Sequence, residues 1–98
     1  MYIIRDIFQL RFGHFKDAKA LLNEALKNGL MPDAESARIL SDFTGNSYRL
    51  IFEEGYESLS DYERSLVESM AENRWQQWYE KFKAHVESSH REILKTVM

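Results

Sequence analysis

Three histidines, one aspartate set among apolar residues and a run of aromatic side chains are the places where this chain could do chemistry. His14, His85 and His90 could act as bases or metal ligands, because imidazole changes charge near neutral pH and binds transition metals. His85 and His90 stand five apart, not the three or four that stack on one helical face. His14 opens a helical stretch, where a solvated polar residue is common. No carboxylate pattern for zinc lies beside them, so no metal site is expected.

Asp6 sits among Ile4, Phe8 and Leu10. Charges are depleted from strand interiors and costly to bury unpaired. Asp6 is therefore either a polar anchor or base inside a pocket, or one half of an ion pair with Arg5, Arg38 or Arg49 across a sheet. The ion pair is the simpler reading. Trp75, Trp78, Tyr79 and Phe82 recur at helical spacing. They could floor an aromatic ligand site or pad an interface, although core packing explains the same spacing. Tyr48 and Phe52 share one strand face and would be pocket walls if that face looks inward. Asp6, Phe8, Tyr48, Phe52 and Trp75 are thus the candidate pocket residues. Glu53 and Glu54 are neighbours on a strand and point to opposite faces, so they cannot work as one acid–base pair. There is no glycine-rich phosphate loop and no serine nucleophile motif. With 0 cysteines, thiolate nucleophiles, thiolate metal sites and disulfides are excluded. No catalytic set and no cofactor is assigned.

These residues must be positioned by elements that the hydrophobic pattern predicts. Tyr2 to Leu10 is β-branched and aromatic and reads as a strand, with Tyr2, Ile4, Asp6, Phe8 and Leu10 on one face and Ile3, Arg5, Ile7 and Gln9 on the other. Both faces are partly apolar, which predicts cover on two sides. His14 to Asn28 reads as a helix with Phe15, Ala18, Leu22, Ala25 and Leu26 on its stripe, stopped by Gly29 and then Pro32. Ser36 to Phe43 and Tyr48 to Tyr56 read as strands of a hairpin joined through Gly45-Asn46. A second helix opens near Ser60, whose spacing to Glu63 is that of a capping box; Ser58 with Asp61 is a weaker overlapping version. Its predicted apolar stripe is Leu59, Tyr62, Leu66, Val67 and Met70. A break is expected near Asn73, then a shorter helix through Trp75, Trp78, Tyr79, Phe82 and Val86. Residues 90–98 could extend that helix or form a last strand; a strand over Ile93–Val97 is favoured, because one helix from Ser60 onward would be unusually long.

The order β-α-β-β-α-β is that of a ferredoxin-like α+β domain with an antiparallel sheet. The chain has 98 residues, enough for one domain spanning 1–98 and small enough that self-association would usefully enlarge its core. A formal net charge of −3 and dispersed basic residues argue against nucleic-acid binding. No segment approaches the roughly 20 apolar residues of a membrane span. The opening Met1-Tyr2-Ile3-Ile4-Arg5-Asp6 lacks the basic start and apolar run of a signal peptide, so a cytoplasmic location is expected.

The stretches Asp42-Phe43-Thr44-Gly45 and Phe52-Glu53-Glu54-Gly55-Tyr56-Glu57-Ser58-Leu59-Ser60-Asp61-Tyr62-Glu63 resemble the dimeric α/β-barrel superfamily, and most of all its NIPSNAP-like members. There a similar strand runs into a Ser-Leu-x-x-Tyr/Phe-Glu helix start. The segments Phe8 to Gly13 and Arg91 to Val97 also sit where that family places its first and last strands. Stress-responsive and antibiotic-biosynthesis-monooxygenase-like domains share the superfamily. The resemblance implies a homodimer whose two sheets close into a barrel with helices outside. It also implies a small apolar or aromatic molecule in the barrel interior, with itself and that ligand as the only partners. Because the superfamily spans cofactor-free monooxygenases, haem enzymes, isomerases and binding domains, it implies a pocket rather than a reaction. The alternatives are a cofactor-independent monooxygenase-like enzyme and a purely structural dimerisation module.

Overall fold

Seven elements follow one another in a computed structural model that describes residues 1–31 and 34–98. They are β1 (Tyr2–Leu10), α1 (Phe15–Lys27), β2 (Ser36–Ser41), β3 (Arg49–Tyr56), α2 (Leu59–Ala71), α3 (Asn73–Lys83) and β4 (Val86–Lys95). The four strands form one antiparallel sheet in the order β2-β3-β1-β4. This is the predicted ferredoxin-like α+β arrangement, with its second helix divided in two. Pro32, read as part of the stop after α1, lies outside the described residues.

β1 and β3 are the two inner strands, and β1 is apolar on both faces, with Ile4 and Ile7 both buried. The even-numbered face meets the helices: Phe8, Leu10, Leu50 and Phe52 form one core with Ala18, Leu22 and Ala25 of α1 and Trp78 and Phe82 of α3. Phe82 is fully buried, stacked on Trp78 at 5.1 Å and edge-on to Phe8 at 5.2 Å. The Trp78 indole N–H donates to the Leu21 carbonyl at 2.6 Å, so the buried ring keeps no unpaired donor. α1 ends as expected: Gly29 takes φ +66°, and Leu30 N–H reaches back to the Ala25 carbonyl at 2.9 Å.

The other sheet face carries no helix. Ile3, Ile7 and Ile51 share it with a charged ladder. Arg5 lies 3.2 Å from Glu53 and 3.6 Å from Glu92, while Arg38 lies 2.7 Å from Glu53.

Three expectations need correction. First, the serine that caps α2 is Ser58: its hydroxyl accepts from Asp61 N–H at 3.1 Å. Ser60 falls inside the first turn, because the helix starts at Leu59, earlier than the Ser60–Glu63 spacing predicts. Second, α2 is rotated about its axis. Leu59, Val67 and Met70 are 45%, 62% and 60% exposed, whereas Ser65 is buried. Third, β4 begins at Val86 and reaches Lys95, so it pairs along nearly all of β1. The break between α2 and α3 falls at Glu72, whose carboxylate accepts from Arg74 N–H at 3.2 Å. No described helix is long and apolar enough to cross a membrane.

Candidate functional site

Two side-chain periodicities converge on a single space. On β3, Phe52, Glu54 and Tyr56 alternate onto the helix-facing side, and on β1 so do Asp6 and Phe8. On α2, Tyr62, Ser65, Leu66 and Ser69 recur three and four apart and face the sheet. Trp75, Trp78 and Tyr79 do the same from α3. Because Ser65 and Ser69 are small where a core helix would carry large apolar residues, the layers do not close. The result is a cavity of about 300 Å³ between sheet and helices, open also toward Arg91 on β4.

Its walls are aromatic. Its polar groups form two sets. Arg91 Nε donates to Asp6 Oδ1 at 2.5 Å, and the two residues are directly paired across β1 and β4. The Arg91 guanidinium also lies 5.7 Å from the centre of the Tyr62 ring, within cation–π reach. In the second set the Tyr56 hydroxyl donates to Glu54 Oε2 at 2.5 Å and is bonded to the Ser65 hydroxyl at 3.2 Å. A hydroxyl has one hydrogen; with Glu54 taking it, Ser65 supplies the hydrogen of the second bond. The Tyr62 hydroxyl is buried and has no hydrogen-bond partner among the described residues.

Burial governs the proton affinities here. It raises the Glu54 carboxyl above its ordinary value of 4.5, with the bond from Tyr56 and the charge of Arg91 opposing and the Asp6 charge adding. It also raises the Tyr56 phenol well above its ordinary range, helped by the bond to Glu54. Tyr62 is raised by the same desolvation. A carboxylic acid whose proton affinity is raised beside an apolar space is a group able to exchange a proton with a bound molecule.

Of the residues expected to form a pocket, Asp6, Phe8, Phe52 and Trp75 line this one cavity. Tyr48 does not. Alternation with Leu50 and Phe52 assumed an extended backbone, but Tyr48 has φ +55° at the end of the hairpin turn. Its ring turns instead against Phe12, at 5.0 Å. The cavity lies on the helix side of the sheet, not on the face left open for a barrel interior. The partner of Asp6 is none of the three arginines first considered: Arg5 pairs with Glu53 and Glu92 on the opposite face, Arg38 with Glu53, and Arg49 with Asp42 at 2.8 Å.

Sequence reasoning missed Arg91, Glu54, Tyr56, Tyr62 and the two serines. Alternation from Phe52 already puts Glu54 and Tyr56 on its face, so that signal was present. Among the described residues, the only cluster of metal-ligating side chains is His14, Asp17 and His85, and none of these three lines the cavity.

No protein-family model matches the sequence, and no curated protein matches it either. Solved structures do. A NIPSNAP family protein from Agrobacterium tumefaciens superposes with a TM-score of 0.83 at 21% identity, over 96% of this chain and 90% of that one. A NIPSNAP domain protein from Burkholderia xenovorans gives 0.85 at 13% identity, over 99% and 95%. The chain shares the fold of these two proteins. An antibiotic biosynthesis monooxygenase matches with a TM-score of 0.75 at 11% identity, over 100% of both chains. The resemblance read from the strand-to-helix stretch around Phe52–Glu63 therefore holds at the level of three-dimensional structure. It extends over nearly the whole chain, from the N-terminal strand to β4.

Proposed function

We propose that this NIPSNAP-like domain is a homodimer that binds a small aromatic molecule carrying a polar substituent. The ligand lies in the cavity between the sheet and helices α2 and α3. The observation that carries the reading is the cavity itself: about 300 Å³, walled by aromatic rings, with a few polar groups converging on it. Small-molecule sites run from roughly 300 to 1,000 Å³ and combine those two features. The rings of Phe52 and Trp75 offer stacking surfaces. The Tyr62 ring, with the Arg91 guanidinium 5.7 Å from its centre, adds a further aromatic wall. The dimer rests on the other sheet face, where Ile3 and Leu94 lie side by side with Leu94 46% exposed, and a symmetric second copy covers them.

Glu54 supports a second reading, that of a cofactor-independent oxygenase. Its raised proton affinity suits a group that takes a proton from a phenolic substrate. The antibiotic biosynthesis monooxygenase of the same fold adds an analogy to that reading.

The test is a fluorescence titration with 1-naphthol. The unmutated chain should bind it saturably, and Ser69→Phe, which fills the space from α2, should abolish the signal. Binding that survives Ser69→Phe, or no saturable binding at all, sinks the cavity reading and leaves a packed dimerisation module. Oxygen uptake with the same naphthol separates the two readings: turnover that disappears in Glu54→Gln while binding persists favours the oxygenase.

A further inference from the structure

A second group of chemistry-bearing side chains lies away from the cavity, where the start of α1 meets the α3–β4 junction. The Nδ1 atoms of His14 and His85 are 2.9 Å apart, with ring centres 5.1 Å apart and planes inclined at 56°. Asp17, one helical turn beyond His14, brings a carboxylate oxygen to the same place, so that all three ligand atoms lie within 4.8 Å of one another. Both histidines are half-buried and Asp17 is exposed.

Main-chain bonds hold the two segments together. His14 N–H donates to the Arg11 carbonyl at 3.0 Å, Arg11 N–H to the His85 carbonyl at 2.9 Å, and His85 N–H to the Phe82 carbonyl at 3.0 Å. The Arg11 Nε donates to the Ala84 carbonyl at 3.2 Å, which ties its charge to the same junction. The two imidazoles therefore meet because the backbone brings them there, not because two surface side chains happen to touch.

Two neutral rings that meet nitrogen to nitrogen need one hydrogen between them. When both carry their hydrogen on Nε2, two lone pairs converge, and the arrangement calls for a cation. Two tetrahedral zinc–imidazole bonds of about 2.0–2.1 Å set their nitrogens roughly 3.3 Å apart. The observed separation is a few tenths of an ångström tighter, which a small ring rotation supplies. We propose that His14, His85 and Asp17 form a binding site for a divalent transition-metal ion. Imidazole with one carboxylate suits zinc, nickel, cobalt or copper rather than the all-oxygen sites that magnesium and calcium prefer. Three protein ligands leave the fourth position to water or a small anion. A bound ion clasps α1 to the start of β4, so it stabilises the fold by an amount that grows with the logarithm of ion concentration above Kd.

Zinc titration of the intact chain tests this. One Zn²⁺ should bind per chain, and the thermal midpoint should rise with zinc concentration. His14→Ala and His85→Ala should each weaken binding by at least about tenfold, the lower end of what loss of even an outer-shell partner costs. Asp17→Asn should weaken it less, and His90→Ala should leave it unchanged. A second readout avoids the variants: in the unmutated protein, Zn²⁺ should shift the ring resonances of His14 and His85 and leave those of His90 in place. No saturable zinc binding overturns the proposal, as does binding retained in both His14→Ala and His85→Ala, or zinc that perturbs His90 first. Should the histidine variants fail to fold, the resonance shifts alone decide.

Discussion

The Tyr56 hydroxyl donates to Glu54, two residues earlier on the same strand, at 2.5 Å. Both groups look into the cavity side of the sheet, and burial raises the proton affinity of each. A carboxylate and a phenol that would both rather be neutral are thus held in one hydrogen bond.

That pairing predicts a pH dependence of stability. Above the ordinary value of 4.5, the unfolded chain releases the Glu54 proton while the folded chain still holds it. Stability therefore falls as pH rises from there through the raised folded value, and the deficit is constant beyond it. Glu54→Gln cannot titrate but keeps an amide oxygen for Tyr56. Urea midpoints measured from about pH 4 to about pH 8 should fall less steeply for Glu54→Gln than for the unmutated chain. Parallel curves would show that Glu54 carries no burial penalty.

The start of α2 should depend on Ser58 and not on Ser60. The Ser58 hydroxyl accepts from Asp61 N–H, one of the helix's orphan donors. Ser58→Ala should cost on the order of 1 kcal/mol, the usual worth of such a cap. Ser60→Ala, an exposed change to a better helix former, should cost almost nothing. Equal midpoint losses in urea for the two variants would contradict the cap assignment.

What the sequence made legible followed from local rules. Alternation in Tyr2–Leu10 put Asp6 and Phe8 on one face, helical spacing found α1 and α3, and Gly29 marked a real stop. The failures came from geometry that local rules assume. Alternation through Tyr48 presumed an extended residue, and φ +55° broke it. The apolar stripe of α2 predicts its buried face, yet Val67 and Met70 face outward and Ser65 and Ser69 face in. Hydrophobicity cannot reveal a helix that turns its small polar residues toward a cavity. The His14–His85 contact joins residues 71 apart, which spacing along one helix could not show.

Leu94 tests the dimer. It sits opposite Ile3 on the helix-free face and is 46% exposed in the single chain. An exposed residue of this kind can change to glutamate at a cost within about 0.5 kcal/mol in an isolated domain. Across a symmetric interface the same change buries two like charges. Light scattering after size exclusion should give twice the 11.6 kDa chain mass for the unmutated protein and the single-chain mass for Leu94→Glu, with circular dichroism unaltered. An unmutated protein that runs as a single chain removes the dimer from the reading.

Asp6 and Arg91 offer the sharpest separation of structure from binding. Their side chains are 20% and 44% exposed, so solvent screens the pair and its contribution to stability is at most about 1 kcal/mol. Its larger effect is on charge at the cavity wall, where Asp6 neutralises the one guanidinium that lines it. Asp6→Asn keeps the shape and frees that positive charge. It should leave the urea midpoint within about 1 kcal/mol of the original. It should tighten binding of 1-naphthoate, whose carboxylate can then meet Arg91, while binding of neutral 1-naphthol changes little. The gain should shrink as salt is added, because a part-exposed charge is screened over roughly 10 Å at 0.1 M. If Asp6→Asn instead lowers stability by several kcal/mol and leaves both probes unaffected, the pair is a structural brace, and the polar end of the ligand site must be sought at Glu54 and Tyr62.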